Sequence, residues 1–312
     1  MVKNQRTWIE ISGAALRHNL KAMQRVVGNS VSIMPIVKAN AYGHGFREVL
    51  QALHQQPHWG IGVAYGEEAL QARTLNYRGR ILVLSNWQTK DLPELIRKNI
   101  ELVVWDEVSL EAVLKAVAKT STKPKIHLKL DTGTTRIGFL EQQLPIVRRA
   151  INNHHIKVVG IFSHLANAEE ASTIQTKKQL IRFTTLTNKL GIAGENRGAL
   201  RHIACTAAIL RYPEARFGLV RLGIGLYGLS PSEQNMVWSK ANLPAFHFQP
   251  ALRWYTNIAQ VKSISKGTGI GYGSTFRAKR AMRIGVLPIG YADGYDRRLS
   301  NKGFVIINGR RA

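Results

Sequence analysis

The chain has 312 residues, 45% of them hydrophobic, which suits a large buried core divided between two domains and not a disordered chain. A single cysteine, Cys205, excludes an intrachain disulfide framework and a cysteine-cluster metal site, and no apolar run reaches membrane-spanning length. Lysine and arginine number 44 against 19 acidic residues, a net charge of +25, but the basic residues are spread out, clustering locally only at Arg277–Arg283, Asp296–Lys302 and Arg310–Arg311, with no nucleic-acid-reading motif among them.

The opening MVKNQRTWIEIS lacks the apolar stretch of a signal peptide. A cytoplasmic protein with neither a dedicated nucleic-acid partner nor a membrane is therefore expected. Trp8–Ile11 reads as a short strand, and Ser12 as the cap of a helix whose Leu16, Leu20, Met23 and Val27 share one face. From Val31 onward short apolar runs alternate with amphipathic stretches. The runs are Val31–Val37, Trp59–Ala64, Arg80–Leu84, Leu102–Val104, Lys125–Leu130, Lys157–Phe162, Leu200–Ala204 and Val220–Leu226. Eight strand–helix units in this span predict a (β/α)8 TIM-like barrel over residues 10–240. An open doubly wound sheet is the alternative, but it would want a glycine-rich phosphate loop after its first strand, and none is there.

Past Leu229 the texture changes to a polar connection punctuated by Pro231, Pro244 and Pro250, without helical periodicity. Leu252–Ser265, Ile284–Ile289 and Phe304–Asn308 then look strand-like. A mainly-β second domain is expected over 241–312, with the N-terminal strand, 1–9, associated with it.

The first barrel run ends on Lys38, at the carboxyl end of a buried strand, where parallel α/β folds keep their chemistry. A desolvated lysine can be a neutral amine, as Schiff-base chemistry requires. Asn40 and Tyr42 offer hydrogen bonds nearby, and Gly43 and Gly45 permit close backbone approach. Further polar residues follow later strands: Asp131 to Gly138 with Arg136, Ser163-His164, Cys205-Thr206, and Arg221 leading into Gly223-Ile224. In a barrel these ends converge on one face. Thr206, Gly223 and Ile224 suit a phosphate. Arg221 is always charged and can only donate, so a heteroaromatic nitrogen facing it stays unprotonated. Taken singly each has an ordinary reading: Lys38 snorkelling to water, Arg136 at the surface, His164 satisfied at a strand end, Cys205 a small buried residue. The second domain adds a glycine-flanked tyrosine, Tyr272, within GIGYGSTF, and Tyr291 within PIGYADGY.

Together the segments VKANAYGHG, KLDTGTTRIGF, GIFSHLANAEE, RLGIGLYGLSP, GYGSTF and PIGYADGYDRRLS resemble the alanine racemases, pyridoxal 5'-phosphate enzymes built as a TIM-like barrel plus a β domain. The resemblance runs from about Trp8 to Ala312. It implies that Lys38 binds the cofactor covalently and is the base on one face of the substrate Cα. Tyr272, from the second subunit of a head-to-tail homodimer, would be the base on the other face. Arg221 would face the pyridine nitrogen, Arg136 the phenolic oxygen, and His164 would lie by the ring and bond Arg221. Tyr42, Leu84, Thr206, Gly223 and Ile224 would complete the cofactor site, and Tyr291 would line the substrate entry. Lys129 matches a position that some members carbamylate, and no metal is implied. The implied activity is interconversion of L- and D-alanine for cell-wall precursors. Alternatives are a racemase of serine, of lysine or of broad specificity, or a non-catalytic pyridoxal-phosphate-binding barrel. A decarboxylase would bring a cysteine motif after Cys205, which the chain lacks. The sequence departs from the family pattern at Cys205-Thr206, where Asn-Ser is usual, and at Leu222, where proline is usual. Family members also continue beyond the position of Ala312, so the resemblance marks the chain as a fragment or its site as incomplete.

Overall fold

The computed structural model describes residues 5–120, 122–191 and 198–312. It divides into two compact units, one of Ser12–Ala251 and one that joins the N-terminal strand, up to Ile11, to Leu252–Ala312.

In the larger unit Ser12 accepts a hydrogen bond from the Ala15 N–H and starts α1 (Gly13–Val27), whose buried face carries Leu16, Leu20, Met23 and Val27. The strands of the second unit begin with β1 (Thr7–Ile11), so barrel numbering runs from β2 (Ser32–Pro35) through β3 (Ile61–Tyr65), β4 (Ile81–Asn86) and β5 (Glu101–Val104). It continues with β6 (Lys125–Lys129), β7 (Lys157–Phe162), β8 (Leu200–His202) and β9 (Leu219–Leu222). Strands β3 to β8 pair in parallel in sequential order, and β2 pairs in parallel with β9. The ring closes where Ile36 bridges Gly62 beside β3 and the Arg221 N–H donates to the Ala204 carbonyl. Between strands lie α2 (Lys38–Tyr42), α3 (Phe46–Leu53), α4 (Gly66–Thr74), α5 (Leu92–Arg97) and α6 (Glu107–Val117). After them come α7 (Leu144–Ile151), α8 (Ile174–Lys189) and α9 (Thr206–Arg211). Strand side chains Met34, Ile36, Leu82 and Leu219 pack together, with Trp59, Leu84 and Leu200 against them.

The connection after Leu229, read from sequence as irregular, contains a helix, α10 (Glu233–Asn242), capped by the Ser232 hydroxyl. Only Asn235 and Ser239 of it are buried, so it carries no apolar stripe for periodicity to reveal. Residues after it stay with the barrel unit. The Gln249 N–H donates to Asn19 Oδ1 (2.8 Å), and the Ala251 N–H donates to the Tyr227 carbonyl (3.0 Å).

In the smaller unit β1 runs antiparallel to β10 (Leu252–Thr256), from Thr7 opposite Thr256 to Ile11 opposite Leu252. Residues 1–4, which the sequence groups with this strand, lie outside the described residues. The run Leu252–Ser265 is two strands, broken at 257–259: β11 (Gln260–Ile264) pairs not with β10 but with β14 (Met282–Val286). Short ladders β12 (Gly269–Ile270) with β13 (Phe276–Arg277), and β15 (Ile306–Ile307) with β16 (Arg310–Arg311), complete it.

Candidate active site

Lys38 opens α2 at the carboxyl end of β2, and that segment is not an ordinary helix. Ala39, Asn40, Ala41 and Tyr42 have φ of 53°, 52°, 55° and 53°, four successive non-glycine residues in the left-handed region. Each costs about 1–2 kcal/mol relative to the right-handed form, so neighbours must hold the turn. The Glu68 carboxylate does so, accepting from the N–H groups of Ala39 (2.6 Å) and Ala64 (2.7 Å). Asn40 Oδ1 accepts from the Phe46 N–H (2.8 Å), starting α3. The Tyr227 hydroxyl donates to the Ile36 carbonyl (2.8 Å). Lys38 is half-buried, its Nζ 5.7 Å from the centre of the Tyr42 ring.

The ten barrel residues that the resemblance assigns to the site line one open cavity of about 940 Å³: Lys38, Tyr42, Leu84, Lys129, Arg136, His164, Thr206, Arg221, Gly223 and Ile224. Cys205 lines it too. One end is hydroxyl-rich. Thr206 Oγ1 accepts from the N–H groups of Gly223 (3.1 Å) and Gly225 (3.3 Å), which leaves its own proton to donate. A Cβ at Gly225 would collide with Thr206 and Phe248, so this turn admits only glycine. Burial, with a contribution from the Cys205 thiol, raises the Tyr42 phenol and keeps it protonated. Burial likewise raises the Cys205 thiol, which makes it a poor nucleophile.

The other end is cationic. Lys129 is lowered to about 7, first by burial and then by the charges of Arg136 and Arg221. His164 is lowered to about 3 by burial and by Arg221, Arg136, Lys129 and Lys38, so its ring is neutral. The nearby Asp131 carboxylate is pushed up by burial but held lower still by backbone N–H groups from Gly133 to Arg136, and it fixes that loop. Tyr272 and Tyr291 belong to the smaller unit, where they are 98% and 72% exposed.

Arg221 is 5% exposed and heavily bonded. Its Nη1 donates to His202 Nδ1 (3.0 Å) and the His202 carbonyl, and its Nη2 to the carbonyls of Ser163 (2.8 Å) and Ile203 (2.9 Å) and to His164 Nδ1 (3.2 Å). Burial lowers its pKa to about 10, so it stays charged at neutral pH. Behind it a chain that the sequence reading missed continues: His202 Nε2 lies 3.0 Å from His127 Nδ1, and His127 Nε2 2.8 Å from Glu101 Oε2. Arg80 closes it, with Nε donating to Glu101 Oε1 (2.8 Å). A Cβ at Gly160 would overlap the His127 ring, so that glycine makes room for the imidazole. The overlooked signal was ionisable residues inside apolar strand runs, since a charge there needs a partner.

Among the described residues no group of three or more His, Cys, Asp or Glu side chains is arranged to hold a metal, and no helix is long and apolar enough to cross a membrane.

Against known proteins, the family profile "Alanine racemase, N-terminal domain" matches residues 11–231, and "Alanine racemase, C-terminal domain" matches residues 251–312. The chain is 36% identical to an alanine racemase of Desulforamulus reducens over 311 residues, covering 98% of this chain and 81% of the relative. An alanine racemase of Listeria monocytogenes is also 36% identical, with coverage of 97% and 79%. Among solved structures, the alanine racemase of a D-cycloserine-producing Streptomyces lavendulae superposes with a TM-score of 0.89 at 30% identity, covering 99% and 80% of the two chains. That of Bacillus anthracis with bound L-Ala-P gives 0.84 at 31% identity, covering 100% and 79%.

Proposed function

The chain belongs to the alanine racemase family, and on that premise we propose that it interconverts L- and D-alanine with pyridoxal 5'-phosphate, using Lys38 and Tyr272 as its two bases. The observation that carries this reading is the gathering of Lys38, the hydroxyl-rich turn at Thr206 and the buried Arg221 around one cavity at the carboxyl ends of the strands.

The residues suit that cofactor. Both Nη atoms of Arg221 are committed to carbonyls and histidines, while its Nε–H has no acceptor among the described residues. A donor-only group of this kind fits an unprotonated pyridine nitrogen. Tyr42, Thr206 and the backbone at Gly223 and Ile224 would hold the phosphate, Leu84 and His164 would pack by the ring, and Arg136 would bond the phenolic oxygen. When bound, pyridoxal phosphate acidifies the Cα–H of an attached amino acid. Lys38 Nζ would anchor the cofactor and carry the Cα proton on one face. Tyr272 Oη, from the second copy of a head-to-tail dimer, would carry it on the other, near an entry lined by Tyr291. Such a base belongs on a side chain that its own unit leaves free, and Tyr272 is 98% exposed there. Two bases on opposite faces are what let configuration invert.

Lys129 fits carbamylation: with a pKa of about 7 its amine is substantially neutral at neutral pH. It can add to carbon dioxide, forming an N–C bond and releasing a proton, and the product carboxylate would relieve the cationic crowding around Arg136. The same reading puts the enzyme in the cytoplasm, supplying D-alanine for cell-wall precursors.

The test is conversion of L- to D-alanine by the purified protein with added cofactor, beside Lys38→Ala. Conversion should disappear in the variant, and so should covalent retention of the cofactor after borohydride reduction. A variant that still racemises would refute the assignment of Lys38.

A further inference from the structure

The chain behind Arg221 has a direction fixed by its ends. A guanidinium can only donate and a carboxylate can only accept. Arg221 Nη1 lies 3.0 Å from His202 Nδ1, so that nitrogen must be the bare one. His202 then carries its proton on Nε2 and donates to His127 Nδ1, and His127 carries its own on Nε2 and donates to Glu101. Both rings have zero exposure, and burial lowers the pKa of each, so both are neutral. For Glu101, burial raises the carboxyl pKa, but the His127 and Arg80 hydrogen bonds outweigh it and keep the group ionised.

Aromatic walls hold the chain in place. Phe162 stacks on His202 at 4.7 Å and 9°, and Trp59 meets His127 edge-on at 5.8 Å. Arg221 itself forms no salt bridge with a carboxylate among the described residues, although its surroundings include Lys129 and Arg136. The carboxylate at the far end of its hydrogen-bonded chain is Glu101, two imidazoles away and itself paired with Arg80.

We infer that Glu101 is a positioning residue for Arg221, acting through His127 and His202 from the start of β5. Without a carboxylate acceptor a proton on His127 Nε2 is buried and unpaired, and the Arg221 end alone is left to hold the tautomer. With that proton on Nδ1, His202 must accept at Nε2 and carry its own on Nδ1, where it would face the Arg221 N–H, donor against donor. The guanidinium then turns, and its Nε–H leaves the position proposed above for the cofactor nitrogen. This last step rests on the proposed racemase reading, whereas the tautomer assignment does not.

The experiment starts with imidazole 15N NMR of the cofactor-free protein at pH 7, the two rings being assigned with His127→Gln and His202→Gln. Both should be neutral with the proton on Nε2, and a ring protonated on Nδ1, or on both nitrogens, overturns the inference without any variant at position 101. Glu101→Leu should move the His127 proton to Nδ1 and lower kcat by about tenfold or more, the size of a lost buried hydrogen bond, with KM for alanine within twofold. Glu101→Gln keeps an oxygen for His127 and should restore both tautomer and kcat, which loss of the Arg80 ion pair alone would not allow. Either change without the other in Glu101→Leu overturns the positioning role. Absence of racemisation by the wild type would instead count against the racemase reading and leave the tautomer measurement standing.

Discussion

The two units contrast in what they bury. The barrel unit encloses Glu101, His127, His202 and Arg221 in one bonded chain and moves Lys129 and His164 far below their ordinary pKa values. In the smaller unit Ala278 is the only buried hydrophobic side chain after Leu252 among the described residues, while Phe276, Val286, Phe304 and Ile306 are exposed. Fixed, desolvated chemistry needs a closed core, which the barrel supplies. The smaller unit supplies an exposed tyrosine on a turn. Stability and protonation should thus be governed by the barrel, and a substitution at Tyr272 should separate catalysis from stability.

The strongest test of that contrast is Tyr272→Phe. Loss of one general base lowers turnover by roughly 10²–10⁴-fold, and a hydroxyl on a side chain 98% exposed should leave the melting temperature unchanged. A large drop in melting temperature would break the comparison. Acid should act through the barrel. His127 and His202 are held below the ordinary histidine range, so below about pH 6.5 the unfolded chain takes up protons that the folded one refuses. Stability is full above that value and falls as pH drops toward the folded pKa values, by at most about 1.4 kcal/mol per pH unit for each ring. Urea midpoints at pH 7.5 and 5 would show it, and equal midpoints would contradict the neutral chain. The smallest effect is local: Ala39→Gly removes the steric penalty of a positive φ of 53° and should stabilise by up to about 1 kcal/mol in denaturant unfolding. A loss of stability there would mean that the turn is held by more than its hydrogen bonds.

Much of this was legible because a parallel barrel turns order in sequence into order in space. The ends of successive apolar runs carried Lys38, His164, Thr206 and Arg221, and barrel closure puts such ends on one face whatever their separation in sequence. The face of α1 was legible for a similar reason, since Leu16, Leu20, Met23 and Val27 keep helical spacing. The chain from Glu101 to Arg221 was not, because its members sit within different strands and meet only after the ring has closed. Nor was the turn after Lys38: Ala39 to Tyr42 contain no glycine, so nothing local announces a positive φ, and it takes Glu68 from another element to hold it. The α10 helix escaped for the opposite reason, having too little buried surface to impose a period.

Gly160 gives the interior chain a consequence for how the sequence can change. A side chain there would occupy the space of the His127 ring, and His127 in turn is useful only with Glu101 on one side and His202 on the other. The four positions therefore form a single hereditary unit. Libraries that vary them one at a time should return the parental residues at Gly160, His127 and His202, and at position 101 only glutamate or the glutamine that keeps an oxygen for His127.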